Sequence, residues 1–254
     1  MVLTPALERD DGWLLYAARV PAAEPGEPAT LLAWSGELPG NCKFARGAAR
    51  AELFVQAELP RAVESFDRDA WVRGGFAAAA ARLGLRGAPA PVECAPSGAR
   101  PPELAALCRE TGWPFDERAD ASVAVDLGVP ETYLAARIGL RGEAIALEAE
   151  LAAAPDARGP CLDALALLLL STNRAFRMAR AVLREPGPRA LLEVRLPRDA
   201  DASELGHALA ALAVAAQRCA REARALAADA ALAAAYLESS RIGRSGAVPL
   251  GRWT

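Results

Sequence analysis

Residues 53–61 read LFVQAELPR, and residues 190–198 read ALLEVRLPR. Each stretch alternates like a strand, ends in Leu-Pro-Arg and leads into a long alanine-rich helical stretch. The two align without a gap at an offset of 137 residues, from 53 to 190. In the first, Leu53, Val55, Ala57 and Leu59 share one face, and Gln56 and Glu58 the other. That period of two belongs to a half-buried antiparallel strand. The repetition predicts an α+β fold made of two related units of antiparallel sheet packed with helices.

Outward from the first copy, alternating runs over 13–20 and 31–38 predict two more strands, separated by the turn-forming PAAEPGEPA. After Pro60 a helix is expected over 62–83. It contains Gly74 and Gly75, at a cost of about 2 kcal/mol in helix propensity, so the pair should mark a bend or a close crossing. Residues 1–86 then form an N-terminal β-β-β-α unit. Residues 87–102 are rich in proline and read as an extended linker. The second unit spans 103–240, followed by a tail over 241–254.

Around the second copy the expected order is α-β-β-β-α-β-α. A short helix over 103–111 ends at Gly112, a C-terminal cap. Strands are expected over 122–127, 133–140 and 144–151, with Arg141-Gly142 as the hairpin turn between the last two. A helix over 161–183 carries Leu162, Leu165, Leu169, Phe176 and Leu183 on one face. After the strand at 190–196, Ser203 is expected to cap a final long helix. Its seam runs from Leu205 through Leu209, Leu212, Ala216, Cys219, Ala223, Leu226, Ala230 and Ala233 to Leu237. The first expectation for this seam is an intramolecular core face, and the second a dimer or partner groove.

Composition narrows the function classes. A net charge of −3 lacks the basic excess of a general nucleic-acid binder. The five cysteines are widely spaced with no C-x-x-C pair, which fits a reduced, cytoplasmic setting. No signal-peptide pattern is visible, and the apolar run 162–170 is too short to span a bilayer. Catalysis has little raw material. The one histidine, His207, sits off the seam and reads as a surface residue. Asp201 and Ser203 read as capping residues, and Cys219 as a small core residue. No zinc spacing and no phosphate-binding glycine motif occurs, so no metal and no cofactor is expected. Glu148 and Glu150 read as a solvated strand face.

The surface that stands out is basic. Arg174, Arg177, Arg180 and Arg184 recur at spacings of three, three and four on the expected middle helix. Arg218, Arg221 and Arg224 do the same on the last helix, away from its seam. Each set forms a stripe suited to an acidic partner, or a solvated face.

The order of the second unit, with ALLLLSTNRAFRMARAVL as its middle helix and ALLEVRLPRDADASELGHALAALAVAA as its final strand and helix, resembles the type III secretion chaperone-like superfamily, which includes the YbjN-type proteins. The first unit resembles a shortened relative without a leading or a middle helix. The resemblance implies a non-catalytic binding protein, not an enzyme, that holds segments of other polypeptides on its sheets and helices. It implies pairing as well, either internally, as a monomeric pseudo-dimer, or as a homodimer. The expected function is therefore a chaperone-like or adaptor module for another polypeptide, with no nucleic-acid or membrane partner. The alternative is an enzyme or small-ligand binder with its site between the two units.

Overall fold

The computed structural model describes residues 3, 5–10, 12–20, 27–47, 52–61, 66–85, 103–130, 133–142, 144–156, 158–184 and 187–242. The expected linker at 87–102 and the tail from 243 lie outside the described residues.

The first unit opens with a hairpin, β1 (Ala6–Asp10) and β2 (Trp13–Val20), turning at Gly12, whose φ of 80° suits glycine. Next comes α1 (Pro28–Ser35), then β3 (Lys43–Arg46), β4 (Leu53–Pro60) and α2 (Phe66–Arg82). The strands form one antiparallel sheet in the order β1-β2-β4-β3. Helix α1 stands where a strand over 31–38 is expected. Pro28 sits in its first turn, where a missing N–H costs nothing. Leu31, Leu32 and Ser35 are buried, at the one-and-four spacing of a helix. The Ser35 hydroxyl donates to the Leu31 carbonyl (2.9 Å) and accepts from the Phe44 N–H (3.0 Å), tying α1 to β3.

The second unit begins with α3 (Leu104–Thr111), capped by left-handed Gly112. It continues through β5 (Phe115–Glu117), β6 (Val123–Asp126), β7 (Ala135–Arg141), β8 (Ala144–Ala153), α4 (Pro160–Thr172), β9 (Arg180–Arg184), β10 (Arg189–Pro197), α5 (Ala202–Ala228) and α6 (Ala230–Ile242). Its antiparallel sheet runs β5-β6-β7-β8-β10-β9. The α+β class with two antiparallel sheets holds. The middle helix is shorter than expected: α4 ends at Thr172, and the chain turns and returns as β9. The last helix divides at Asp229, whose carboxylate accepts from the N–H groups of Ala231 (2.9 Å) and Leu232 (3.0 Å) and so caps α6. Asp201, not Ser203, caps α5. It accepts from Glu204 N (2.8 Å), and Glu204 accepts in return from Asp201 N (3.3 Å).

Without α3, β5, β6 and α6, the second unit reads hairpin, helix, hairpin, helix. Its strand order β7-β8-β10-β9 repeats β1-β2-β4-β3, with α4 in the place of α1 and α5 in the place of α2. The first unit therefore does possess a middle helix, contrary to expectation. The offset of 137 reaches past the quoted strands: Asn41 (φ 51°) corresponds to Met178 (φ 57°), both non-glycine residues with left-handed backbone.

One hydrophobic cluster draws on both sheets and their helices. The seam of α5 is intramolecular and lies on β8, β10, α3 and α4. A smaller cluster, with Cys161, Ala164, Leu226 and Ala233, forms where α6 packs on α4. Among the described residues no helix is long and apolar enough to cross a membrane.

Candidate functional site

The two units meet where α1 packs on β9, α4 on β3 and α1 on α4, and polar side chains fill the junction. Lys43, the sole lysine, is fully buried on β3. It pairs with Glu58 (2.9 Å) and donates to the carbonyls of Phe176 (2.5 Å) and Ala179 (2.9 Å) in the turn before β9. Arg180, its counterpart at the offset of 137, is equally buried. It pairs with Glu193 (3.0 Å) and donates to the carbonyls of Leu38 (2.6 Å) and Cys42 (2.9 Å) in the turn before β3. Each unit thus sends a cation into the turn of the other. Cys42 and Ala179 are themselves counterparts, so the exchange is two-fold related, as in an isologous interface.

Two asparagines complete the junction. Asn41 bonds both backbone groups of Arg195, donating at 2.7 Å and accepting at 2.6 Å. Asn173 accepts from Ala181 N (2.7 Å) and donates to the carbonyls of Ala181 (3.3 Å) and Phe44 (3.0 Å). Strand edges that would otherwise be bare are met by side-chain amides. A further tie joins Arg68 of α2 to Glu204 of α5 by two bonds (2.8 and 2.7 Å).

The electrostatics of the junction follow from burial and partners. Burial pulls Lys43 below the ordinary lysine value, opposed by Glu58. Burial would raise Glu193, but Arg180, Arg195 and Arg184 outweigh it and hold the carboxyl at about 2. Arg184 also pairs with Glu148 (2.8 Å), which in turn pairs with Arg141 (3.0 Å). Glu148 is therefore part of a charge ladder and not a solvated face.

The expected arginine stripes separate into different environments. Arg180 and Arg184 lie on a strand inside the junction, because the middle helix has already ended. Arg174 and Arg177 lie on the turn between α4 and β9, with the Arg174 guanidinium 4.1 Å from the centre of the Phe54 ring. On α5, Arg224 donates to the Leu151 carbonyl (3.1 Å), while Arg218 and Arg221 are exposed. Arg180 and Arg184 meet at Glu193, and Arg174, Arg177 and Arg218 come together at the surface. These last three line an open groove of about 540 Å³ between the 174–177 turn and α5. Trp13, Ala210, Ala211, Val214 and Ala215 supply its apolar walls. His207 lines it too, with Nδ1 donating to the Ser203 carbonyl (2.8 Å). Sequence reasoning found these arginines but not Trp13 or Val214, which only the tertiary fold brings beside them.

The four described cysteines are free and buried. Burial pushes the Cys108 thiol up to about 11 and the Cys219 thiol up to about 12, far from a nucleophile at neutral pH. Among the described residues no group of three or more His, Cys, Asp or Glu is placed to hold a metal ion. No protein-family model matches the chain, and no curated protein matches it.

Proposed function

We propose that this protein is a non-catalytic binding module, chaperone-like or adaptor in role, which holds a segment of another polypeptide on sheet and helix surfaces. Its two units would act as an internal pseudo-dimer, joined by the exchanged cations Lys43 and Arg180.

One observation carries this reading. Each unit exposes an apolar side chain where the other unit buries its counterpart. Leu7 on β1 is 39% exposed, while Ile138, which occupies its place on β7, is fully buried beside Val123 of β6. Val214 on α5 is 53% exposed, while Ala77, its counterpart on α2, is 4% exposed. Exposed apolar groups beside a strand edge that is unpaired among the described residues, and along a groove, suit a polypeptide ligand, whose backbone and side chains use both features.

The test is hydrogen–deuterium exchange on the full chain, with and without a reduced, alkylated, permanently unfolded polypeptide. Added protection at 6–10, at 207–218 or at both is the expected result. Unchanged exchange across the whole chain would sink the reading. The groove draws Trp13 from the first unit and its remaining walls from the second, which favours a small-ligand binder as the second reading. Protection by small carboxylates and not by the unfolded chain would select it.

A further inference from the structure

The groove beside α5 has a closed counterpart in the first unit, and two residue differences account for the contrast. At the equivalent place, α2 lies directly on the turn before β3. A Cβ on Gly40 would stand 2.6 Å from the Trp71 carbonyl oxygen and 2.8 Å from Val72 Cα. A Cβ on Gly75 would collide with the Pro39 carbonyl and the Cys42 sulfur. This close crossing exists only because both residues are glycine. At the offset of 137 the second unit has Arg177 in place of Gly40 and Leu212 in place of Gly75. Leu212 is fully buried, so α5 cannot approach its turn as α2 does, and a groove of about 540 Å³ remains. The same divergence leaves Val214 exposed.

The walls define what fits. The floor is apolar and aliphatic, with Trp13 at one side. Arg174 and Arg218 line it as exposed residues, the Arg174 guanidinium resting on the Phe54 ring, and no carboxylate is among the lining residues. A ligand that buries apolar side chains against Ala211 and Val214 while presenting carboxylates to these arginines satisfies both parts.

We infer that the α5 groove is the segment-binding site of the second unit, opened by the replacement of a glycine–glycine crossing, and that its occupant is an acidic, leucine-type segment of a partner polypeptide. This inference rests on the polypeptide-binding reading and narrows it to one site and one chemistry.

The test uses three fluorescein-labelled 12-residue peptides of alternating Glu/Leu, Gln/Leu and Lys/Leu, titrated into the full chain by fluorescence anisotropy. The Glu/Leu peptide should bind tightest and weaken as salt is raised. Its binding should weaken at least about tenfold in Val214→Glu and in Arg174→Glu/Arg218→Glu. These substitutions fall on exposed positions, and unchanged circular dichroism confirms that the variants fold. Equal binding of all three peptides, binding that survives Val214→Glu, or binding of none overturns the inference. The exchange experiment with the unfolded chain decides the broader reading separately: protection confined to β1 would keep that reading and remove the groove from it.

Discussion

Lys43 and Arg180 occupy the same place in two copies of one fold, yet their surroundings differ. Lys43 is a compact ammonium with one carboxylate and two carbonyls. Arg180 belongs to a ladder in which Glu193 also meets Arg184 (2.6 Å) and Arg195. The backbone solution is shared, since each cation satisfies the turn carbonyls of the other unit. The charge solution is not: one copy balances a single pair, and the other spreads a carboxylate over three guanidiniums. The copy with fewer partners should therefore be the more fragile, although its cation is the smaller.

The largest expected effect tests that inequality. Lys43→Met leaves Glu58 buried without its cation and should cost about 3–5 kcal/mol. Arg180→Met leaves Glu193 with two guanidiniums and mainly strands two carbonyls, at a cost of about 2–3 kcal/mol. Urea unfolding of both variants measures the order, and the reverse order would break the comparison. Replacing Lys43 and Glu58 together by Met should recover only the part due to the uncompensated charge, because the Phe176 and Ala179 carbonyls still lose their donor.

Acid sharpens the other side. The Glu193 carboxyl is depressed to about 2 from an ordinary 4.5, so its stabilisation is complete above the ordinary value and is lost as pH falls through about 2. On the order of 3 kcal/mol should disappear across that window. In Glu193→Gln the fall in stability over the same range should be visibly shallower. A wild-type profile that matches the variant would remove Glu193 from the account.

The helix crossings give a smaller contrast. Gly75→Ala forces a methyl group into Pro39 and Cys42 and should cost about 1–3 kcal/mol. Gly206→Ala, on the equivalent helix α5, meets nothing within 4 Å and should stabilise by up to about 1 kcal/mol. Thermal melts of the two should move in opposite directions. The smallest effect belongs to the cap of α5: Asp201→Ala should cost about 1 kcal/mol, read as a small drop in melting temperature with little change in shape.

Much of the scaffold was legible in the chain. The Leu-Pro-Arg repeat located β4 and β10, Gly112 located the end of α3, and the Gly74-Gly75 pair announced a close crossing that Gly75 makes. The errors cluster beside the junction. The apolar spacing of Leu162, Leu165 and Leu169 is helical and correct, but Phe176 and Leu183 continue it by coincidence across a turn. No proline or glycine marks that turn, because Asn173 and the left-handed Met178 make it. The offset of 137 relates β3 at Lys43 to β9 at Arg180, but neither short strand carries a pattern of its own from which the other could be placed.

The sequence by itself determined the class, the two-unit plan, and the strands and helices whose patterns are local, because apolar periodicity, proline and glycine act over a few residues. Only the tertiary structure decided that residues 31–35 are helical, that residues 180–184 form a strand, and which arginines remain at the surface. Those outcomes depend on partners well over a hundred residues away in the chain. A buried Lys43 or Arg180 is tolerable only where the other unit presents its turn carbonyls, and a groove opens only where Leu212 replaces the glycine that would have closed it.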